Sequence, residues 1–300
     1  MRTWWIGLLL GICGMAGALP VAAQSFDKVE IKTEKLAGGV YMLTGAGGNI
    51  GLALGEDAVF LIDDQYAPLT PKILAAIAAL TAQAVRFVLN THWHSDHVGG
   101  NENLGKTGSL IVAHDNVRRR MSSEQFIAAF KRKVDPAPKG ALPVVTFAES
   151  VSFHLNGEEI HAFHVAKAHT DGDAVVILRK ANVVHMGDVF FNGFYPFIDL
   201  SSGGSINGTI AAVDRVLPMI DDKTKVIPGH GPLSDKAGLA AYRTMLAGIR
   251  DKVQAQLNAG KSLQETIAAN PSTEFDAVWG KGFLTPARFV ETVYRSLSGG

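Results

Sequence analysis

Three histidines and an aspartate crowd into the segment Thr91-His92-Trp93-His94-Ser95-Asp96-His97, directly after the apolar run Val85-Arg86-Phe87-Val88-Leu89. In extended chain, residues two apart point the same way, so His92 and His94 address one point from a strand end. Ser95 and Asp96 are turn or cap residues. A change of direction there sends Asp96 and His97 towards a second, adjacent point. Imidazole and carboxylate are the natural ligands of zinc and similar borderline ions. One loop supplies too few of them, so the rest should come from strand ends and glycine-flanked loops. Three residues meet that description: His169 after the apolar stretch 160–165, Asp188 in His185-Met186-Gly187-Asp188, and His230 in Pro228-Gly229-His230-Gly231.

The pattern around these residues predicts the elements that carry them. Residues 29–45 alternate and turn at Gly38-Gly39, a hairpin signal. Residues 49–64 form two apolar runs around Gly55-Glu56-Asp57 and end in aspartate. The spacing predicts a helix over 69–82, with Thr70 as cap, Pro71 as first residue, and Ile73, Leu74, Ile77 and Leu80 on one face. Residues 85–90 are a short buried strand leading into the histidine cluster. The same order returns later: two apolar runs over 173–188 ending in Asp188, a helix over 206–220, a short strand at 224–227, and the loop with His230. Hairpin, aspartate, helix, strand and histidine-bearing loop thus occur twice, as Asp64 with His92 and as Asp188 with His230. Repetition of pattern points to two related halves, and the mixed order to sheets covered by helices. The last 65 or so residues are expected to be helical. Over 284–297, Thr285 is the cap, Pro286 the first residue, and Phe289, Val290, Val293 and Leu297 one face. The basic clusters Arg118-Arg119-Arg120 and Lys131-Arg132-Lys133 are expected on one solvated helix, with Met121, Phe126, Ile127 and Phe130 between them. Residues 136–143 suit a surface loop better than a hinge, and 24–300 reads as one domain.

Taken in order, "THWHSDH", "AHTDGD", "MGD" and "PGHG" resemble the metallo-β-lactamase superfamily, over roughly residues 28 to 235. The resemblance implies an α/β (α+β) fold, a four-layer αββα sandwich of two similar halves with the site at one edge. It implies that His92, His94 and His169 bind a first metal, that Asp96, His97 and His230 bind a second, and that Asp188 bridges. Two divalent ions, most naturally zinc, are the implied cofactors. Ala168 stands where glycine commonly precedes the later histidine, so that loop's backbone is expected to differ. Two divalent ions against two aspartates and a hydroxide leave a positive centre. Such a centre lowers the pKa of water to about 7 and polarises a carbonyl or phosphoryl oxygen. Hydrolysis follows, with Asp188 and Asp96 as the catalytic carboxylates, Asp96 orienting the nucleophile or passing a proton to the leaving group.

Other polar residues are expected to matter less. His114, His154, His161, His164 and His185 read as surface or strand filler, with a supporting place possible for His185 beside Asp188 and for Thr170 beside His169. The stretch 190–204, rich in aromatics and glycine, suits either a wall over the metals or a loop packed on a helix. Tyr195 within it is a weak candidate donor to a developing oxyanion.

Balanced charge, 28 basic against 28 acidic side chains, argues against a nucleic-acid partner. A small-molecule substrate is expected instead. The N-terminus carries one arginine, an apolar stretch from Trp4 to Leu19 and the small-residue close Val21-Ala22-Ala23, the layout of a secretory signal peptide cleaved after Ala23. A periplasmic protein, free of the membrane after cleavage, is expected. The only cysteine, Cys13, would leave with this segment, so the mature chain would have neither disulfide nor thiolate ligand. The preferred activity is cleavage of an ester- or amide-like bond, as in a lactone or thioester. The alternatives are a β-lactamase of the cysteine-free subclass and an iron-dependent enzyme like the sulfur dioxygenases of the same fold.

Overall fold

Runs such as Val59-Phe60-Leu61-Ile62 and Ala174–Leu178 are apolar at every position, which a strand tolerates only when both its faces are covered. The computed structural model, describing residues 25–299, covers them by stacking two sheets and flanking the pair with helices. The first sheet contains β1 (Lys32–Ala37), β2 (Val40–Thr44), β3 (Ile50–Ala53), β4 (Val59–Ile62), β5 (Val85–Asn90) and β6 (Leu110–His114), side by side in chain order. A small separate hairpin, β7 (Gln125–Ile127) and β8 (Arg132–Val134), precedes β9 (Val145–Phe147), which completes the first sheet beside β6. The second sheet contains β10 (Ser150–Leu155), β11 (Glu158–His164), β12 (Ala174–Leu178), β13 (Val183–His185) and β14 (Lys225–Ile227).

Alternation sorts the side chains between layers. Phe60 and Ile62 of β4 meet Ala174, Val176 and Leu178 of β12 and Val183 of β13 in the core between the sheets. Val59 and Leu61 point the other way, onto Ile73 and Ile77 of α1 (Thr70–Ala78). Next along the chain come α2 (Ser95–Val98), α3 (Asn101–Lys106) and α4 (Asp115–Met121). Behind the second sheet, Val175 and Val184 pack on α5 (Ile206–Val216), α6 (Lys236–Asn258) and, after short helices α7 (Leu263–Ala268) and α8 (Thr273–Trp279), α9 (Pro286–Ser298). The layers run helix, sheet, sheet, helix, as expected.

The doubled pattern is a doubled topology. β3 and β4 are antiparallel, and α1 then crosses over to β5, parallel to β4. Likewise β12 and β13 are antiparallel, and α5 crosses over to β14, parallel to β13. Each parallel strand ends in a loop bearing the candidate histidines, so both loops emerge at one edge of the sandwich.

Three expectations are corrected. Residues 118–133 are not one helix: α4 stops at Met121, and 125–134 turn back as a hairpin through Lys131 at φ 49. Its Phe126 and Phe130 are more than half exposed, so no helical core face exists there. Thr70 is not a cap but the first residue of α1, entered from a short 3-10 turn at Ala67–Leu69. Leu80 lies beyond that helix. By contrast Thr285 caps α9 as expected, accepting from the Arg288 N–H. Residues 136–143 are a loop held at both sides, by Ala137 N–H to Met121 O and by Asn101 Nδ2 to Ala141 O. Among the described residues no helix is long and apolar enough to cross a membrane. The candidate leader, with Cys13, lies outside the described residues.

Candidate metal centre

β5 ends at Asn90, and the backbone is still extended at His94 (φ −67°, ψ 146°), where α2 starts. The extended stretch turns His92 and His94 to one point, and the first turn of α2 turns Asp96 and His97 to another. The structure brings all seven sequence candidates to these two points. His92, His94, His169 and Asp188 form one group and Asp96, His97 and His230 a second, with ligand atoms in each within 4.8 Å of one another. Asp188 faces both. Its Oδ2 lies 3.7 Å from His92 Nε2 and 3.5 Å from His169 Nε2, while Oδ1 lies 3.1 Å from His97 Nε2 and 3.4 Å from His230 Nε2. Asp96 Oδ2 is 3.4 Å from His230 Nε2. Donors bound to one tetrahedral zinc at about 2.0–2.1 Å stand roughly 3.3 Å apart. These spacings are close to that.

The outer nitrogens fix which way each ring presents its lone pair. His169 Nδ1 lies 2.7 Å from the carbonyl of Phe197, which can only accept, so Nδ1 carries the proton. His94 Nε2 lies 3.0 Å from the Asp199 carboxylate, and His97 Nδ1 2.7 Å from Asp63 Oδ2. His92 Nδ1 faces Thr91 Oγ1 at 3.1 Å, and that hydroxyl donates its own proton to Asp63. His92, His94 and His169 therefore aim lone pairs inward, while the inner nitrogen of His97 faces Asp188. His94 Nδ1 and His169 Nε2 consequently meet at 2.8 Å. Two facing lone pairs in a buried place repel unless a proton or cation lies between.

His92 Nε2 is buried without any hydrogen-bond partner, and Asp188 Oδ1 has none of good geometry, only the His97 and His230 rings at 3.1 and 3.4 Å. Such orphaned atoms cost about 1–3 kcal/mol each, more when charged. A divalent cation removes both penalties, so the donors fit metal ions well. The groups differ in charge. Burial holds His92 below its ordinary pKa, and it brings His169 to about 4. Burial also works against His97 and His230, but Asp188 and the neighbouring carboxylates override it, raising His97 well above its ordinary value and His230 to about 9. Asp188 itself, though pushed up by burial, is held well below the usual carboxylate range by His230, His97 and His92. Asp96 is brought to about 2 against its burial by His97 and His230.

Several supporting residues had no clear signal in the sequence. Asp63, not Asp64, reaches the site: its left-handed backbone (φ 64°) turns its carboxylate to Thr91 and His97. Asp64 instead accepts from the Gly100 N–H. Asn49 clamps the His230 loop by donating from Nδ2 to Pro228 O and Gly231 O, and His185 holds Asn49 O in turn. Gly229 is required by closeness, since a Cβ there would stand 2.1 Å from Asp188 Oδ1. Thr170 does support His169, through Asp173, which accepts from the N–H groups of both residues and from the Thr170 hydroxyl. Ala168 is buried, and the turn before it is made by Lys167 at φ 52°. His114 caps α4 and stacks on His164, as filler should.

The stretch 190–204 has both of its expected roles. Phe190, Tyr195 and Ile198 enter the helical core, while Phe191, Phe194 and Phe197 line a cavity of about 540 Å³ over the two groups. Phe191 stacks on the His230 ring at 5.1 Å. Tyr195 is corrected: it is fully buried, stacked on Phe289, and donates to Asp276 at 2.7 Å. It faces α8 and α9, away from any substrate.

The sequence pattern of the metallo-beta-lactamase superfamily matches residues 43–233, spanning both histidine-bearing loops. The chain belongs to the metallo-β-lactamase superfamily. A hydroxyacylglutathione hydrolase of Polaromonas sp. is 27% identical over 166 residues, covering 54% of this chain and 55% of that protein. A metallo-beta-lactamase type 2 of Bacillus cereus is 23% identical over 168 residues, covering 56% and 60%. The chain thus spans little more than half the length of these superfamily relatives. In the sec-alkylsulfatase Pisa1 from Pseudomonas sp. the same fold recurs with a TM-score of 0.67 at 17% identity, covering 88% of this chain and 50% of that one.

Proposed function

We propose that this protein is an exported hydrolase with two divalent metal ions, most naturally zinc, that cleaves an ester- or amide-like bond such as a lactone or thioester. The observation that carries this is Asp188, whose two carboxylate oxygens face separate ligand groups below an aromatic-walled cavity. His92, His94 and His169 would hold the first ion, Asp96, His97 and His230 the second, and Asp188 both. When bound, such ions lower the pKa of water to about 7 and polarise a carbonyl or phosphoryl oxygen. Asp96, ionised and on the cavity wall, orients the nucleophile and passes its proton towards the leaving group. Phe191, Phe194 and Phe197 exclude water and receive an apolar substrate part. Hydrolase activity in a relative's name and a leader-like N-terminus support the reading.

A second reading, β-lactam hydrolysis, is suggested by the metallo-beta-lactamase type 2 of Bacillus cereus among the relatives. The Asp, His and His of the second group, with no cysteine among the described residues, are compatible with the cysteine-free subclass. Turnover of a lactone, a thioester, an aryl phosphodiester and a chromogenic cephalosporin by metal-loaded protein ranks the two. Bound iron with oxygen uptake, and no hydrolysis of any of the four, would replace both with a dioxygenase.

A further inference from the structure

Apart from the ligand histidines, Arg132 is the one cation lining the metal-centre cavity among the described residues. It enters from β8, and its guanidinium donates to Ser95 Oγ at 3.2 Å, beside the ligand residues His94 and Asp96. Its neighbour Lys133 is neutralised by Glu124 and Asp135. Arg132 has no carboxylate within ion-pair distance among the described residues. The two acids that share the cavity wall, Asp96 and Asp188, are turned to the histidines. Most of the remaining wall is aromatic, with Phe130, Phe191, Phe194, Phe197 and Phe283. An uncompensated guanidinium at the rim of an apolar cavity binds an anion, because its planar fork matches an oxyanion and the surroundings lower the dielectric.

Resting on the hydrolase reading, we propose that Arg132 anchors an anionic group of the substrate. That group, a carboxylate or sulfonate-type oxyanion, is carried on an apolar segment whose other end presents the scissile bond to the metal centre. The substrates are then amphiphilic acids rather than neutral esters. The long apolar segment lies along the phenylalanines.

The test uses the full chain loaded with zinc. Affinities for hexanoate and adipate, which differ by one distal carboxylate, are measured by calorimetry, with the ω-sulfonate of hexanoate separating carboxylate from sulfonate preference. Alongside, kcat/KM is compared for para-nitrophenyl hexanoate and the para-nitrophenyl monoester of adipate. The wild type should prefer the distal anion in both assays. Arg132→Gln, at equal zinc content, should reduce that preference about tenfold. Arg132→Lys should fall between, and added salt should shrink the preference. Equal affinity for hexanoate and adipate in the wild type, or an undiminished preference in Arg132→Gln, overturns the proposal. Hydrolysis of neither ester nor of any other substrate would sink the hydrolase reading, while the calorimetry still decides on Arg132.

Discussion

His94 Nδ1 and His169 Nε2 stand 2.8 Å apart, each ring donating its other N–H to an outer acceptor. Folding has brought two buried nitrogens together that need a proton or a metal cation between them, and a metal supplies it without charging a buried ring. Metal should therefore stabilise the fold itself. At about a thousand times its Kd a ligand adds about 4 kcal/mol, and each kcal/mol is worth about 2–4 °C in a chain of this size. We expect chelation to lower Tm by roughly 10 °C and zinc to restore it, measured by differential scanning calorimetry. An unchanged Tm in a fully stripped sample would contradict this.

The outer acceptors should be separable. Asp199 orients His94 alone, whereas Asp63 serves His97 directly and His92 through Thr91. Loss of such a partner weakens metal binding about 10–100-fold. Asp199→Asn should therefore weaken the first ion selectively, and Asp63→Asn both. Competition with a chromophoric chelator checks it, and equal loss at both sites in Asp199→Asn would count against the assignment.

Of the two candidate carboxylates on the cavity wall, Asp96 is the more exposed, at 21% against 5% for Asp188. Asp96→Asn should lower kcat at least about 100-fold and weaken the second ion, with the first retained. Full turnover with two metals bound would remove Asp96 from the chemistry.

Metal loading should depend steeply on pH at the second group. His169 titrates at about 4, so its nitrogen is bare at neutral pH. His230 at about 9 and the raised His97 hold protons there, facing Asp188, Asp96 and Asp63. A cation entering the second group must displace those protons. Its affinity should rise about tenfold per pH unit for each proton released, and the His230 share of that rise should end above about 9. His169 adds no such dependence to the first group at neutral pH. Zinc titration against a competing chelator in several buffers measures both slopes.

The seven candidates were legible in sequence because their spacing is local geometry. A strand end followed by a cap forces His92 and His94 apart from Asp96 and His97, and glycines flank Asp188 and His230. The doubled topology was legible for the same reason, since both halves bury strands on two faces. What supports the ligands was not. Asp199 lies 105 residues from His94, and the acceptor for His169 is a backbone carbonyl with no sequence signature. Choosing Asp63 over Asp64 needed a positive φ that the Asp-Asp pair does not announce. In 190–198 the cavity residues recur at every third position, 191, 194 and 197, a period of neither strand nor α-helix, so Tyr195 could not be assigned a side. The helix expected over 118–133 failed because it ends at Met121, where the Ser122 and Ser123 hydroxyls turn back to the Arg119 carbonyl, and 125–134 pair as a hairpin instead.

Metal content per chain tests the account most directly. Elemental analysis of protein purified without chelator, alongside Asp188→Asn, should give two equivalents of divalent metal in the wild type and a marked loss of both in the variant. One equivalent or none in folded wild-type protein, or an Asp188→Asn variant that keeps two, would contradict a paired centre held together by that carboxylate.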